Sequence, residues 1–122
     1  MLTKSLEINE KLGRLGGVAS QYGNLGLIYR RRGDLEMAEQ MHIKSLEIDQ
    51  KLGRMEGMAS NYGNLGAVCE QRGDVEKATE YWEKALELFK KIGMKPEIEK
   101  VQNWIDELKD NQQRQKKGIE DG

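Results

Sequence analysis

KSLEINEKLGR at residues 4–14 returns as KSLEIDQKLGR at 44–54, and ASQYGNLG at 19–26 returns as ASNYGNLG at 59–66. Between these islands the register never slips. Lys4–Ile43 lies on Lys44–Glu83 without a gap, and 22 of the 40 aligned positions are identical. A third copy opens at Lys84 as KALELFKKIG and then diverges. A fixed period of this length marks an array of stacked units, each too small to bury its apolar face alone.

Within a unit the apolar spacing is helical. Tyr22, Leu25, Gly26 and Tyr29 fall on one stripe, and Tyr62, Leu65, Gly66 and Cys69 repeat it. Spacing of i, i+3, i+4, i+7 predicts a first helix over 17–32 and again over 57–72, with these residues buried. Gly33 and Gly73 stop those helices, and Asp34 and Asp74 cap the next ones. The second helices, 35–52 and 75–92, are expected to bury Ala38, Met41, Ser45, Ile48 and Leu52, then Ala78, Tyr81, Ala85 and Leu88. Gly53 and Gly93 supply their left-handed stops. Gly26 and Gly66 sit inside helices, where glycine costs about 1 kcal/mol relative to alanine. The expected reason is close approach of the paired backbones, with Ala38 and Ala78 facing the two glycines.

Bulk properties narrow the class. The chain has 122 residues and a formal net charge of −1, so it is one short array without the basic excess of a general nucleic-acid binder. Its single cysteine, Cys69, forms neither an internal disulfide nor a metal site by itself. No apolar run approaches the roughly 20 residues needed to span a bilayer, and the first residues lack the apolar core of a secretory signal. The expectation is a cytoplasmic protein with no membrane partner. No phosphate loop, nucleophile elbow or spaced set of metal ligands occurs, so neither an enzyme nor a cofactor is expected.

Tyr62-x-Asn64-Leu65-Gly66, Gly73-Asp74, Ala78, Trp82 and Ala85-Leu86 together resemble the tetratricopeptide repeat. Tyr22, Asn24-Leu25-Gly26, Tyr29, Gly33-Asp34, Ala38 and Leu46 match the same pattern one period earlier. The spacing of 40 exceeds the usual length of about 34, and the proline that often closes a unit is missing. Longer units of this kind look like those of kinesin light chains and Partner-of-Inscuteable scaffolds. The resemblance implies an all-α, right-handed α-solenoid of antiparallel helix hairpins. It divides the chain into a half unit at 1–16, units at 17–56 and 57–96, and a capping helix at 97–108. In that cap Ile98, Val101, Ile105 and Leu108 are apolar, while Gln102 and Asp106 replace the tyrosine and the packing glycine. Residues 109–122 are polar and read as a frayed or disordered tail.

The resemblance also implies a concave groove lined by the first helices, where a peptide or protein partner would lie. The face opposite the packing stripe carries Ser20, Gly23, Asn24, Leu27 and Arg31, then Ser60, Gly63, Asn64, Ala67 and Gln71. Asn24 and Asn64 stand out, because an amide both donates to and accepts from an extended backbone. They could equally bond locally. Gly23 and Gly63 either admit a ligand close to the helix or record drift after duplication. Members that clamp a terminal carboxylate carry basic residues where serine and glycine stand here, which argues against that ligand. Arg30-Arg31-Arg32 reads as a solvated cluster favourable at a helix C-terminus. Cys69 reads as a buried structural thiol. His42 stands where the next unit has Trp82 and lacks catalytic company. Trp104 borders the cap stripe and should face the groove.

A second reading comes from the half unit. Leu2, Leu6, Ile8 and Leu12 match residues that later units cover, yet no first helix precedes them. Bare apolar surface of this kind suggests a homodimer.

Overall fold

In the computed structural model the backbone is described over residues 2–121 and side-chain environments over 11–118. Among the described residues five helices follow one another: α1 (Leu2–Arg32), α2 (Leu35–Leu52), α3 (Met55–Arg72), α4 (Val75–Ile92) and α5 (Lys95–Asp121). Each packs on the next, α1 with α2, α2 with α3, α3 with α4 and α4 with α5, which is a solenoid of antiparallel hairpins. The connections are tight because Gly33, Gly53, Gly73 and Gly93 all take positive φ, between 68° and 85°. Asp34 and Asp74 then accept hydrogen bonds from the backbone N–H groups of Met37 and Lys77, each at 3.2 Å.

Two boundaries differ from the sequence expectation. Gly13, the counterpart of Gly53, is helical, so the half unit and the first helix merge into one rod of 31 residues. At the other end α5 runs on to Asp121 although residues 109–118 are exposed. The stretch from Lys109 to Lys117 is rich in lysine, glutamine and arginine and has neither glycine nor proline. Helix propensity carries it on without packing.

Inside the hairpins the small-against-small pairing of Gly26 with Ala38 and of Gly66 with Ala78 is corrected. A Cβ on Gly26 would lie 2.5 Å from the His42 ring, and one on Gly66 would run into the Trp82 indole. The glycines make room for rings, not for alanines. The buried face of the second helices is correspondingly turned by one residue. Ala38, Met41 and Ser45 are buried as expected, but His42, Leu46 and Asp49 join them, while Ile48 and Leu52 are half-buried. In α4, Trp82, Leu86 and Phe89 are buried with Ala78 and Ala85, and Tyr81 and Leu88 are partly covered.

The apolar core is concentrated towards the C-terminal half, where Trp82, Phe89, Val101, Ile105 and Leu108 close one cluster. Cys69 is 3% exposed within it. Burial pushes its thiol pKa up, and Glu39 and Asp74 add to the effect, so the sulfur stays protonated. The expected stripe of α1 fails on one side: Leu25 is 40% exposed, whereas its counterpart Leu65 is 0% exposed in α3, which packs on α2 as well as on α4.

The ring-on-glycine contact has a direct consequence for stability. Gly66→Ala should destabilise the protein by about 1–3 kcal/mol through overpacking against Trp82. Gly63→Ala, whose Cβ would sit 4.0 Å from Trp104, should instead stabilise it by roughly 0.4–1 kcal/mol. Urea melts of the two variants, read by far-ultraviolet circular dichroism, check the opposite signs.

Candidate functional site

α1, α3 and α5 present successive stretches to one face of the solenoid, and shallow clefts lie between them. The cleft between α1 and α3 has a volume of about 180 Å³ and is lined by Ser20, Gly23, Asn24, Leu27, Ser60 and Asn64 among others. A second cleft, about 250 Å³, continues from Ser60, Gly63 and Asn64 to Lys100 and Trp104 of α5. A third, about 460 Å³, is bounded by Gly63, Asn64, Ala67, Arg30, Glu70 and Trp104. Asn64 belongs to all three. Arg31 and Gln71 line none of them; Gln71 accepts a hydrogen bond from Arg30 at 3.4 Å.

The floor of the first cleft is polar. Ser45 Oγ donates to the Ala19 carbonyl at 2.7 Å and accepts from Asn61 Nδ2 at 3.0 Å. Asn61 Nδ2 also donates to Asp49 Oδ2 at 3.1 Å. Arg54 approaches Asp49 Oδ1 at 3.6 Å and donates to the Gly16 carbonyl at 3.3 Å. Ser45, Asp49 and Asn61 are all buried. Burial raises the Asp49 pKa above its ordinary value, while Arg54 and Asn61 oppose the rise. One period later the same places hold Ala85, Phe89 and Val101, and the junction is apolar. Sequence reading treated Ser45 as a packing residue and overlooked Asp49 and Asn61. The substitution of Asp49 by Phe89 across the period was the signal available.

Gly23 and Gly63 now have different surroundings. A Cβ on Gly23 would meet Ser45 Oγ at an ordinary 3.7 Å. Gly63 is buried against Trp104, and its carbonyl accepts from the Trp82 indole N–H at 3.0 Å. Trp104 is half-buried, tilted against Trp82 with ring centroids 5.5 Å apart, and lines the groove with its remaining surface. Lys100 stands over its ring at 5.2 Å. Arg30 departs from the solvated reading, being half-buried and bridging to α3.

Neither Asn24 nor Asn64 spends its amide on a hydrogen bond with another described residue. Asn24 is exposed and Asn64 half-buried, both on the groove side. In the expected oligomer surface, Leu12 is 46% exposed, while the side chains of Leu2, Leu6 and Ile8 lie outside the described residues. Among the described residues no group of three or more potential metal ligands stands together, and no helix is long and apolar enough to cross a membrane.

His42 completes the picture from behind the groove. It is fully buried, and neither ring nitrogen has a hydrogen-bond partner. Desolvation, helped by the Arg30 charge and opposed by Asn61, lowers its pKa from 6.5 to about 4. Between those two values the unfolded chain takes up a proton that the folded chain refuses, so stability falls as pH drops through this window. The loss approaches roughly 3 kcal/mol once pH is below 4. Asp49 works the other way, because its folded form protonates first on acidification. His42→Trp, which copies the sister unit, should remove the destabilising share. Urea midpoints measured from pH 7 to pH 4 should fall less steeply in this variant than in the parent.

Comparison with known proteins agrees with the architecture. The tetratricopeptide repeat family profile matches residues 17–91. Among solved structures, the chain is similar to the crystal structure of BtubC (BKLC) from P. vanneervenii, with a TM-score of 0.56 and 22% identity. That similarity covers 91% of this chain and 55% of the other, so the chain spans about half the length of that protein. At this identity the likeness concerns the fold alone. No curated protein matches the sequence significantly.

Proposed function

Because the chain belongs to the tetratricopeptide repeat family, whose repeats generally mediate protein–protein interaction, we propose that it holds an extended peptide along its α1–α3–α5 face. The observation that carries this reading is the pair of unspent amides, Asn24 and Asn64, set one repeat period apart in connected clefts. An extended chain presents a donor and an acceptor at each residue, and a carboxamide satisfies both. Ser20 and Ser60 add hydroxyls at the same period. Trp104 gives the C-terminal end of the groove a flat apolar wall, with Lys100 beside it. Arg30, Lys100, Glu70 and Glu107 all line the third cleft, so the groove has no single sign of charge. A ligand of mixed or neutral side chains suits it better than a polyanion.

The test begins with a random peptide library panned against the purified chain. Affinity of a selected peptide is then measured by fluorescence anisotropy. Asn24→Ala combined with Asn64→Ala should weaken binding about tenfold or more, as expected for two lost hydrogen bonds. The melting temperature should stay within a few degrees, since neither amide serves the fold. Unchanged affinity would move the site off this face.

A further inference from the structure

α1 leaves an apolar stripe in solvent. Leu25 and Ile28 are 40% and 43% exposed, and Leu15 and Val18 extend the stripe towards the N-terminus. One period later the first two positions are Leu65 and Val68, both 0% exposed. The difference is α2, which lies antiparallel along α3 and brings Asp49 to Asn61 and Gln50 to Tyr62. The segment of α2 that forms this contact, KSLEIDQKL at 44–52, has a near copy at 4–12, KSLEINEKL.

That copy cannot cover its own α1. Helix α1 passes through Gly13 without reversal, whereas Gly53 turns the chain at φ 68°. Along a straight helix, residue 6 and residue 25 stand roughly 29 Å apart at 1.5 Å per residue. A second observation concerns Gly17. Its counterpart Gly57 is compelled to be glycine, since a Cβ there would strike the Asp49 carboxylate. Gly17 keeps the same room open, yet among the described residues nothing stands within 4 Å of its Cβ position. The residue aligned with Asp49 is Asn9. Stripe and gap are thus shaped for the same absent helix.

We propose that residues 4–12 of a second copy cover Leu25 and Ile28, and that the exchange is reciprocal, giving a two-fold dimer. The contacts between α2 and α3 set its register. Moved back by one period, they pair Asn9 of one copy with Gln21 of the other and Glu10 with Tyr22. The two-fold axis then passes beside Leu15 and Gly16, where Gly13 and Gly17 thin the helix and let the two rods approach closely, Gly16 being turned towards Arg54. Asn9 fills the room at Gly17, as Asp49 fills it at Gly57. Asn24 borders this surface, one turn before Ile28, as Asn64 borders the contact of α2 with α3 in the cleft lined by Asp49 and Asn61.

The full chain tests this directly. In a Cys69→Ser background, Asn9→Cys and Gln21→Cys are combined and oxidised mildly at micromolar concentration. A covalent dimer of about 28 kDa, twice 14.0 kDa, is the expected product on a non-reducing gel. A cross-linked monomer would mean that the chain folds back at Gly13, and no cross-link would mean that the register is wrong; either overturns the exchange. The receiving face is tested independently by Leu25→Glu with Ile28→Glu, two exposed positions where the monomer fold tolerates charge. Light scattering should show dimer for the parent and monomer for this variant, with unchanged helical dichroism. A monomeric parent, or a variant that stays dimeric, would also overturn the proposal.

Discussion

Everything in the hairpins depends on a ring seated against a glycine. Trp82 on Gly66 and His42 on Gly26 set how near the two helices of each unit come, because the glycine removes the one atom that would hold the ring away. Once the ring is seated, its neighbours on the same helix are fixed in turn. Ala78 and Ala85 reach zero exposure, and the Trp82 indole N–H finds the Gly63 carbonyl. A buried indole without that acceptor would cost part of what its apolar area contributes. His42 occupies the same seat without a partner for either nitrogen, so the first hairpin rests on a poorer version of the same contact.

The two junctions between units differ in kind. The first is stitched by Ser45, Asp49 and Asn61 around the Ala19 carbonyl, and the second is filled by Ala85, Phe89 and Val101. Buried polar networks depend on every member being satisfied, and here Asp49 Oδ1 has only the distant Arg54. The firmer apolar junction supports α3, α4 and α5, and the groove end at Trp104 sits on it. The polar junction supports α1, whose N-terminal part projects past the rest of the array.

The architecture was legible because its signals are local. Four glycines at 33, 53, 73 and 93, two aspartate caps and a fixed period leave little choice of hairpin topology. Which face of each helix turns inward was less legible by one residue. Tyr81 and Trp82 are both large and adjacent, and periodicity alone does not say which ring the glycine receives. Continuity at Gly13 was illegible for another reason. Its local sequence is that of the turn at Gly53, and only the packing of neighbouring helices distinguishes a turn from a helix there. Asn24 and Asn64 line clefts on the face expected for a groove, while the polar floor beneath them comes from three residues that look unremarkable one at a time.

Near-identical repeats carry a hazard that the unequal junctions address. A chain whose halves share KSLEI and YGNLG can pair helices one period out of place during folding, as like segments compete for the same seat. Here the mismatched pairings are penalised. Setting α2 on α5 would bury the Asp49 carboxylate against Val101, where no amide could receive it. Setting α4 on α1 would wedge the Phe89 ring into the space reserved by Gly17. The polar and apolar junctions therefore act as address labels, telling each helix which of two look-alike neighbours is its own.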